Sequence, residues 1–162
     1  TGPLDGVELM DDPARVMTPS EPAGPPVARN TQLSCRVLLA EDGPDNQRLI
    51  SFFLTKAGAE VVQADNGLIA HDLALSSQEK GAPFDVVLMD MQMPVMDGYE
   101  ATHNLREAGY NGPIIALTAH VMSTDQEKCL RAGCNDYMAK PINREKLLAM
   151  ICEYASRVIQ HD

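Results

Sequence analysis

From Cys35 onward, short apolar stretches alternate with longer amphipathic ones. The short stretches, at residues 35–40, 60–64, 85–90, 114–118 and 136–139, are nearly continuous and read as buried strands. The longer ones repeat at helical spacing. Pro44 stands where a first helical turn tolerates it, and Leu49, Ile50, Phe53 and Ala57 follow until Gly58 stops the helix. Beyond Asp65-Asn66-Gly67, a second helix carries Leu68, Ala70, Leu73 and Ala74. Asp97 with Glu100 three residues on is a capping-box start for a third. Ser123 and Gln126 open a fourth capped helix that ends near Gly133. The fifth runs from about Asn143 to Val158, with Leu147, Leu148, Ile151 and Ala155 facing inward.

Strands that are apolar throughout need cover on both faces, which is the habit of parallel sheets. The pattern therefore predicts a doubly wound α/β sandwich of five parallel strands and five helices. In such sheets, ligands bind beyond the carboxyl ends of the strands. That rim is the place to look for chemistry.

The leader has a different composition. Residues 1–33 hold six of the eleven prolines, which disfavours sustained helix or sheet. The expected division is a proline-rich, mostly extended linker or tail over residues 1–33 and a folded domain over residues 34–160. Within the leader, Val7-Glu8-Leu9-Met10 is a short apolar cluster that could dock.

A chain of 162 residues is long enough for one domain with a real core. A net charge of −10 argues against a nucleic-acid surface. No apolar run approaches the roughly 18 residues of a membrane span, and the start lacks a secretory layout. These features predict a cytoplasmic protein with no membrane contact by this chain. Cys35, Cys129, Cys134 and Cys152 include no CxxC pair and read as reduced structural thiols, although their even number leaves a disulfide pairing open.

At the predicted rim stand Glu41-Asp42 after the first strand, Asp90 ending the third, Thr118 ending the fourth and Lys140 after the fifth. Each has an ordinary reading by itself: a solvated turn, a cap, a β-branched strand residue, a surface charge. Together they bring three carboxylates, a hydroxyl and an ammonium to one edge. Crowded carboxylates repel, and a divalent cation relieves that repulsion. Oxygen donors alone favour a hard ion such as Mg²⁺ over zinc.

Five ordered motifs now carry a family resemblance. They are Leu38-Leu39-Ala40-Glu41-Asp42, the run from Val86 to Pro94, Met96-Asp97-Gly98-Tyr99-Glu100-Ala101, Ile115-Ala116-Leu117-Thr118-Ala119 and Tyr137-Met138-Ala139-Lys140-Pro141. Over residues 35–158 the chain resembles the two-component response-regulator receiver domain, with wording most like receivers fused to hybrid sensor histidine kinases. The resemblance implies the flavodoxin-like strand order 2-1-3-4-5. It implies that Asp90 is the phosphoacceptor, attacking a phosphohistidine of a histidine kinase or histidine phosphotransfer protein. Glu41, Asp42, Asp90 and the carbonyl of Gln92 would hold Mg²⁺, with Glu41 acting through water. Lys140, the Thr118 hydroxyl and the Ala119 amide would hold the phosphoryl group. Pro141 matches a position where the family often has a cis bond. Thr118 and Tyr137 would switch the surface formed by the fourth helix, fifth strand and fifth helix.

Gly43 and Asp45 depart from the family, whose members often carry an Asn and an apolar residue in that loop. His103 reads as exposed on its helix and His120 as a loop residue. A free-standing single-domain regulator is the other context for a receiver. Three further classes compete with the receiver reading. An aspartate-dependent phosphatase wants a second acid where Gln92 stands. A flavodoxin-like FMN module would meet repulsion from Glu41-Asp42. A chemically silent interaction domain would have no use for the full residue set.

Overall fold

The structure is a computed structural model, and it describes residues 33–119 and 122–160. Residues 1–32 of the leader, with the Val7–Met10 cluster, and His120 lie outside the described residues; Leu33, the last leader position, is buried in the core and its N–H donates to Ala57 O at 2.5 Å. The elements alternate strictly: β1 Arg36–Ala40, α1 Pro44–Lys56, β2 Glu60–Ala64, α2 Gly67–Glu79, β3 Val86–Asp90, α3 Gly98–Glu107, β4 Ile114–Thr118, α4 Ser123–Ala132, β5 Asp136–Ala139 and α5 Arg144–Gln160. Among the described residues these strands form one five-stranded sheet in the order β2-β1-β3-β4-β5. All pairings are parallel, with Ala40 beside Met89, Asp90 beside Leu117 and Thr118 beside Ala139. This is the expected 2-1-3-4-5 arrangement, and it brings the carboxyl ends of the strands to one rim.

Side chains alternate across the sheet with the strand period of two. Val37, Leu39, Val86, Leu88, Ile115 and Leu117 face α1 and α5, packing on Ile50, Leu54, Leu147, Leu148 and Ile151. Leu38, Ala40, Val87, Met89, Ile114 and Ala116 face α2, α3 and α4, packing on Ala70, Ala74, Ala101, Leu105 and Cys129. Each fully buried Leu or Ile contributes roughly 1.5–3 kcal/mol of transfer free energy.

Three helix assignments need correction. Along α1 and its C-cap the buried stripe is Ile50, Leu54 and Ala57, spaced by four and three residues, with Phe53 at its edge. Leu49 points outward and is 42% exposed, because it sits about 100° around the helix from Ile50. Leu68 on α2 is exposed for the same reason: Ala70 and Ala74 define the inward face. At α4 the cap is Met122, with no side-chain cap bond, and Ser123 is already helical. The carbonyl of Met122 accepts from Asp125 N at 2.9 Å and Gln126 N at 3.0 Å, so the helix starts one residue earlier than a Ser123 cap requires. Asp97, by contrast, caps α3 as expected, accepting from Glu100 N at 2.8 Å.

Close backbone packing at the rim depends on two glycines. A Cβ on Gly98 would lie 2.2 Å from Asp90 O, and one on Gly67 2.1 Å from Met96 O. Neither helix could start where it does with a larger residue. No helix among the described residues is long and apolar enough to cross a membrane.

Candidate functional site

The parallel sheet gathers the site. Glu41 follows β1 directly, and its N–H donates to Ala64 O at 3.1 Å, keeping the ends of β1 and β2 level. Asp90 closes β3, and Met91 N beyond it donates to Leu117 O at 3.0 Å. Lys140 N donates to Thr118 O at 2.9 Å, which brings the residue after β5 alongside the end of β4. Glu41, Asp90 and Thr118 are buried, at 2%, 2% and 4% exposure, while Asp42 is exposed.

Side chains complete the arrangement. Lys140 Nζ lies 3.1 Å from Glu41 Oε1 and 3.1 Å from Asp90 Oδ2. Asp90 Oδ1 accepts from Gln92 N at 3.1 Å, and Glu41 Oε2 accepts from Gly43 N at 3.1 Å. Gln47 on α1 donates its side-chain amide to Glu41 O and, at 2.9 Å, to Asp65 Oδ1. Burial pushes the Asp90 carboxyl up to about 6 and Glu41 adds to the rise, while the Gln92 N–H and Lys140 hold it back. Burial by itself would lower the Lys140 pKa, but Asp90 and Glu41 outweigh it and hold the ammonium above its ordinary value.

One ammonium faces three carboxylates, so the cluster has negative charge to spare. Glu41, Asp42 and Asp90 each offer an oxygen, and these atoms all lie within 4.8 Å of one another. Glu41 Oε1 is buried, with the Lys140 ammonium 3.1 Å away as its charge partner. Hard oxygen donors at this spacing, carrying more negative charge than Lys140 offsets, fit a small divalent cation with its waters.

The remaining residues singled out in the sequence fall around this centre. Gln92 and Ala119 are exposed in the loops after β3 and β4. The Lys140–Pro141 bond is cis. Tyr137 is half-buried, packed against the cluster beneath α2, α3 and α4. His103 is exposed on α3, away from the carboxylates. Gln47, Gly67 and Gly98 were not singled out as site residues. For the glycines, the signal available was their place immediately after loops that follow strands; for Gln47 there was none.

A model of the family described as the response regulator receiver domain matches residues 37–152. The chain belongs to this family. Among curated relatives of the receiver, hybrid signal transduction histidine kinase I of Dictyostelium discoideum is 44% identical over 127 residues, covering 74% of this chain and 7% of that protein. The two-component response regulator ORR41 of Oryza sativa is 39% identical over 121 residues, covering 74% of this chain and 93% of that one. The chain spans 7–16% of the length of the first four kinase relatives it matches. Among solved structures, the receiver domain of the Pseudomonas aeruginosa sensor histidine kinase PA1611 has a TM-score of 0.66 and 38% identity, covering 76% of this chain and 99% of that one. That structure holds a magnesium ion in its active-site cleft. The receiver of the Saccharomyces cerevisiae response regulator Ssk1, crystallised with the histidine phosphotransfer protein Ypd1, has a TM-score of 0.67 and 31% identity over 75% of this chain and 89% of that one.

Proposed function

We propose that Asp90 accepts a phosphoryl group from a phosphohistidine. The observation that carries this reading is the buried Asp90 carboxylate held between the Gln92 N–H on Oδ1 and the Lys140 ammonium on Oδ2. With Oδ1 fixed, Oδ2 is the oxygen left to attack. It forms a bond to phosphorus in line with the breaking P–N bond, whose electron pair returns to the imidazole. Lys140, already on the Oδ2 side, moves with the incoming phosphoryl oxygens and balances their charge. The Thr118 hydroxyl and the Ala119 N–H supply further donors.

Magnesium would be held by Glu41, Asp42, Asp90 and the Gln92 carbonyl, Glu41 acting through water. When bound it supplies charge neutralisation and a coordination position for a phosphoryl oxygen. The phosphoryl group adds about −1.5 to −2 charge. Thr118 turning toward it frees room for the Tyr137 ring, and the α4–β5–α5 surface changes for its reader. Residues 34–160 are the phosphoaccepting unit in this reading, with residues 1–33 as a tether.

Similarity to kinases many times longer supports a hybrid histidine kinase as the parent protein, working in the cytoplasm, with a kinase or phosphotransfer protein as donor. A free-standing regulator is the second reading, favoured by the near-complete coverage of the rice regulator. Phosphotransfer from a panel of purified, radiolabelled kinases and phosphotransfer proteins tests the donor. Label should reach this chain rapidly from at least one of them; no transfer from any histidine donor, beside successful transfer to a control receiver, contradicts the proposal.

A further inference from the structure

The loop that carries Glu41 and Asp42 enters α1 through Gly43, an N-cap with no side chain to bond the exposed helical N–H groups. An Asn, Ser or Asp there would tie the loop to the helix. The fastening comes instead from one turn further on. Gln47 is half-buried, and its side-chain nitrogen spends both N–H groups: one on Glu41 O, one on Asp65 Oδ1 at 2.9 Å. The first fixes the plane of the Glu41–Asp42 peptide. The second anchors that peptide to the loop after β2, whose neighbour Ala64 already accepts from Glu41 N at 3.1 Å.

We propose that Gln47 is a positioning residue for cation binding, standing in for the cap that Gly43 lacks and setting the direction in which Asp42 presents its carboxylate. This rests on the magnesium reading above. Asp42 is exposed, so little packing constrains it, and orientation must come from the backbone that Gln47 holds. Outer-shell partners of metal ligands commonly change affinity by about ten- to a hundredfold when lost.

Calorimetric titration of the full chain with MgCl₂ tests this, with amide chemical shifts of residues 41–43 as a second readout. Gln47→Ala should weaken Mg²⁺ binding roughly tenfold, with a melting temperature in the metal-free state within about 2 °C of the parent. Asp65→Ala, which leaves the bond to Glu41 O, should lose less. Gly43 has ordinary extended backbone angles (φ −78°, ψ 119°), and a Cβ there closely meets only the end of the flexible Glu41 side chain, Oε2 at 3.1 Å, so Gly43→Asn fits with a small shift of that carboxylate. In the Gln47→Ala background it should restore most of the lost affinity. Unchanged Mg²⁺ affinity in Gln47→Ala overturns the proposal, as does a double variant no tighter than Gln47→Ala. A parent chain that binds no Mg²⁺ at all strikes the metal reading itself, which is a different result.

Discussion

The ammonium of Lys140 sits 3.1 Å from Asp90 Oδ2, joining the residue after β5 to the last residue of β3 across the intervening end of β4. It is equally close to Glu41 Oε1. The contact is therefore shared, and its loss strands two buried carboxylates at once.

Lys140→Ala should lower stability in EDTA at pH 7.5 by about 2 kcal/mol, the cost of leaving buried charge uncompensated after partial relief by water. Mg²⁺ should recover much of it. Urea denaturation with and without the ion checks both parts; a variant as stable as the parent in EDTA would show that the ion pair contributes nothing to the fold.

The raised Asp90 pKa sets a pH dependence with a definite sign. Its carboxyl titrates near 3.8 when unfolded and about 6 when folded. Between those values the folded state holds more protons, so this group makes metal-free stability fall as pH rises from 4 to 6, then level off. A cation held by Asp90, as proposed, would bind its ionised form. Its stabilising increment should be large at pH 7.5 and small at pH 5, measured as the melting-temperature difference between MgCl₂ and EDTA. An increment independent of pH contradicts a cation site built on Asp90.

Gly98→Ala places a methyl 2.2 Å from Asp90 O and 2.8 Å from Met91 Cα. Backbone cannot yield as a side chain can, so the loss should be about 3 kcal/mol, at the upper end of overpacking costs. Chemical denaturation measures it. A loss below about 0.5 kcal/mol would mean that α3 can shift freely against Asp90.

Val95 is a β-branched residue at φ 71°, turned by a bond from Met96 N to Pro94 O at 2.7 Å. Left-handed backbone costs such a residue about 1–2 kcal/mol, and its side chain, 74% exposed, packs on little in return. Val95→Gly should stabilise by about 0.5–1 kcal/mol after the extra freedom glycine gives the unfolded chain. A destabilised variant would indicate that the exposed side chain makes contacts that matter.

The rim was legible in the sequence because topology does the gathering. Once β1, β3, β4 and β5 are parallel, Glu41, Asp90, Thr118 and Lys140 meet whatever their rotamers. The bounds of β4 followed from a near-continuous apolar run and those of β2 and β5 from short β-prone segments around Val61-Val62 and Tyr137-Met138, and Leu147, Leu148, Ile151 and Ala155 are buried as their spacing requires. Adjacent apolar residues were harder. Leu49 and Ile50 compete for the inward face of α1, and only packing against α5 and the sheet decides for Ile50. The Gln47 bonds were beyond reach, since they depend on a side-chain rotamer and on where the loop after β2 lies. The backbone of Val95 is likewise set by its neighbours: Met96 O is pinned by Gly67 N at 3.0 Å.

The most direct test of the central claim is intact-mass spectrometry after incubation with acetyl phosphate and Mg²⁺. The parent chain should gain the mass of one phosphoryl group, lost on treatment with base or hydroxylamine, while Asp90→Asn gains none and EDTA suppresses the gain in the parent. Equal phosphorylation of Asp90→Asn and the parent would contradict the assignment of Asp90 as the acceptor.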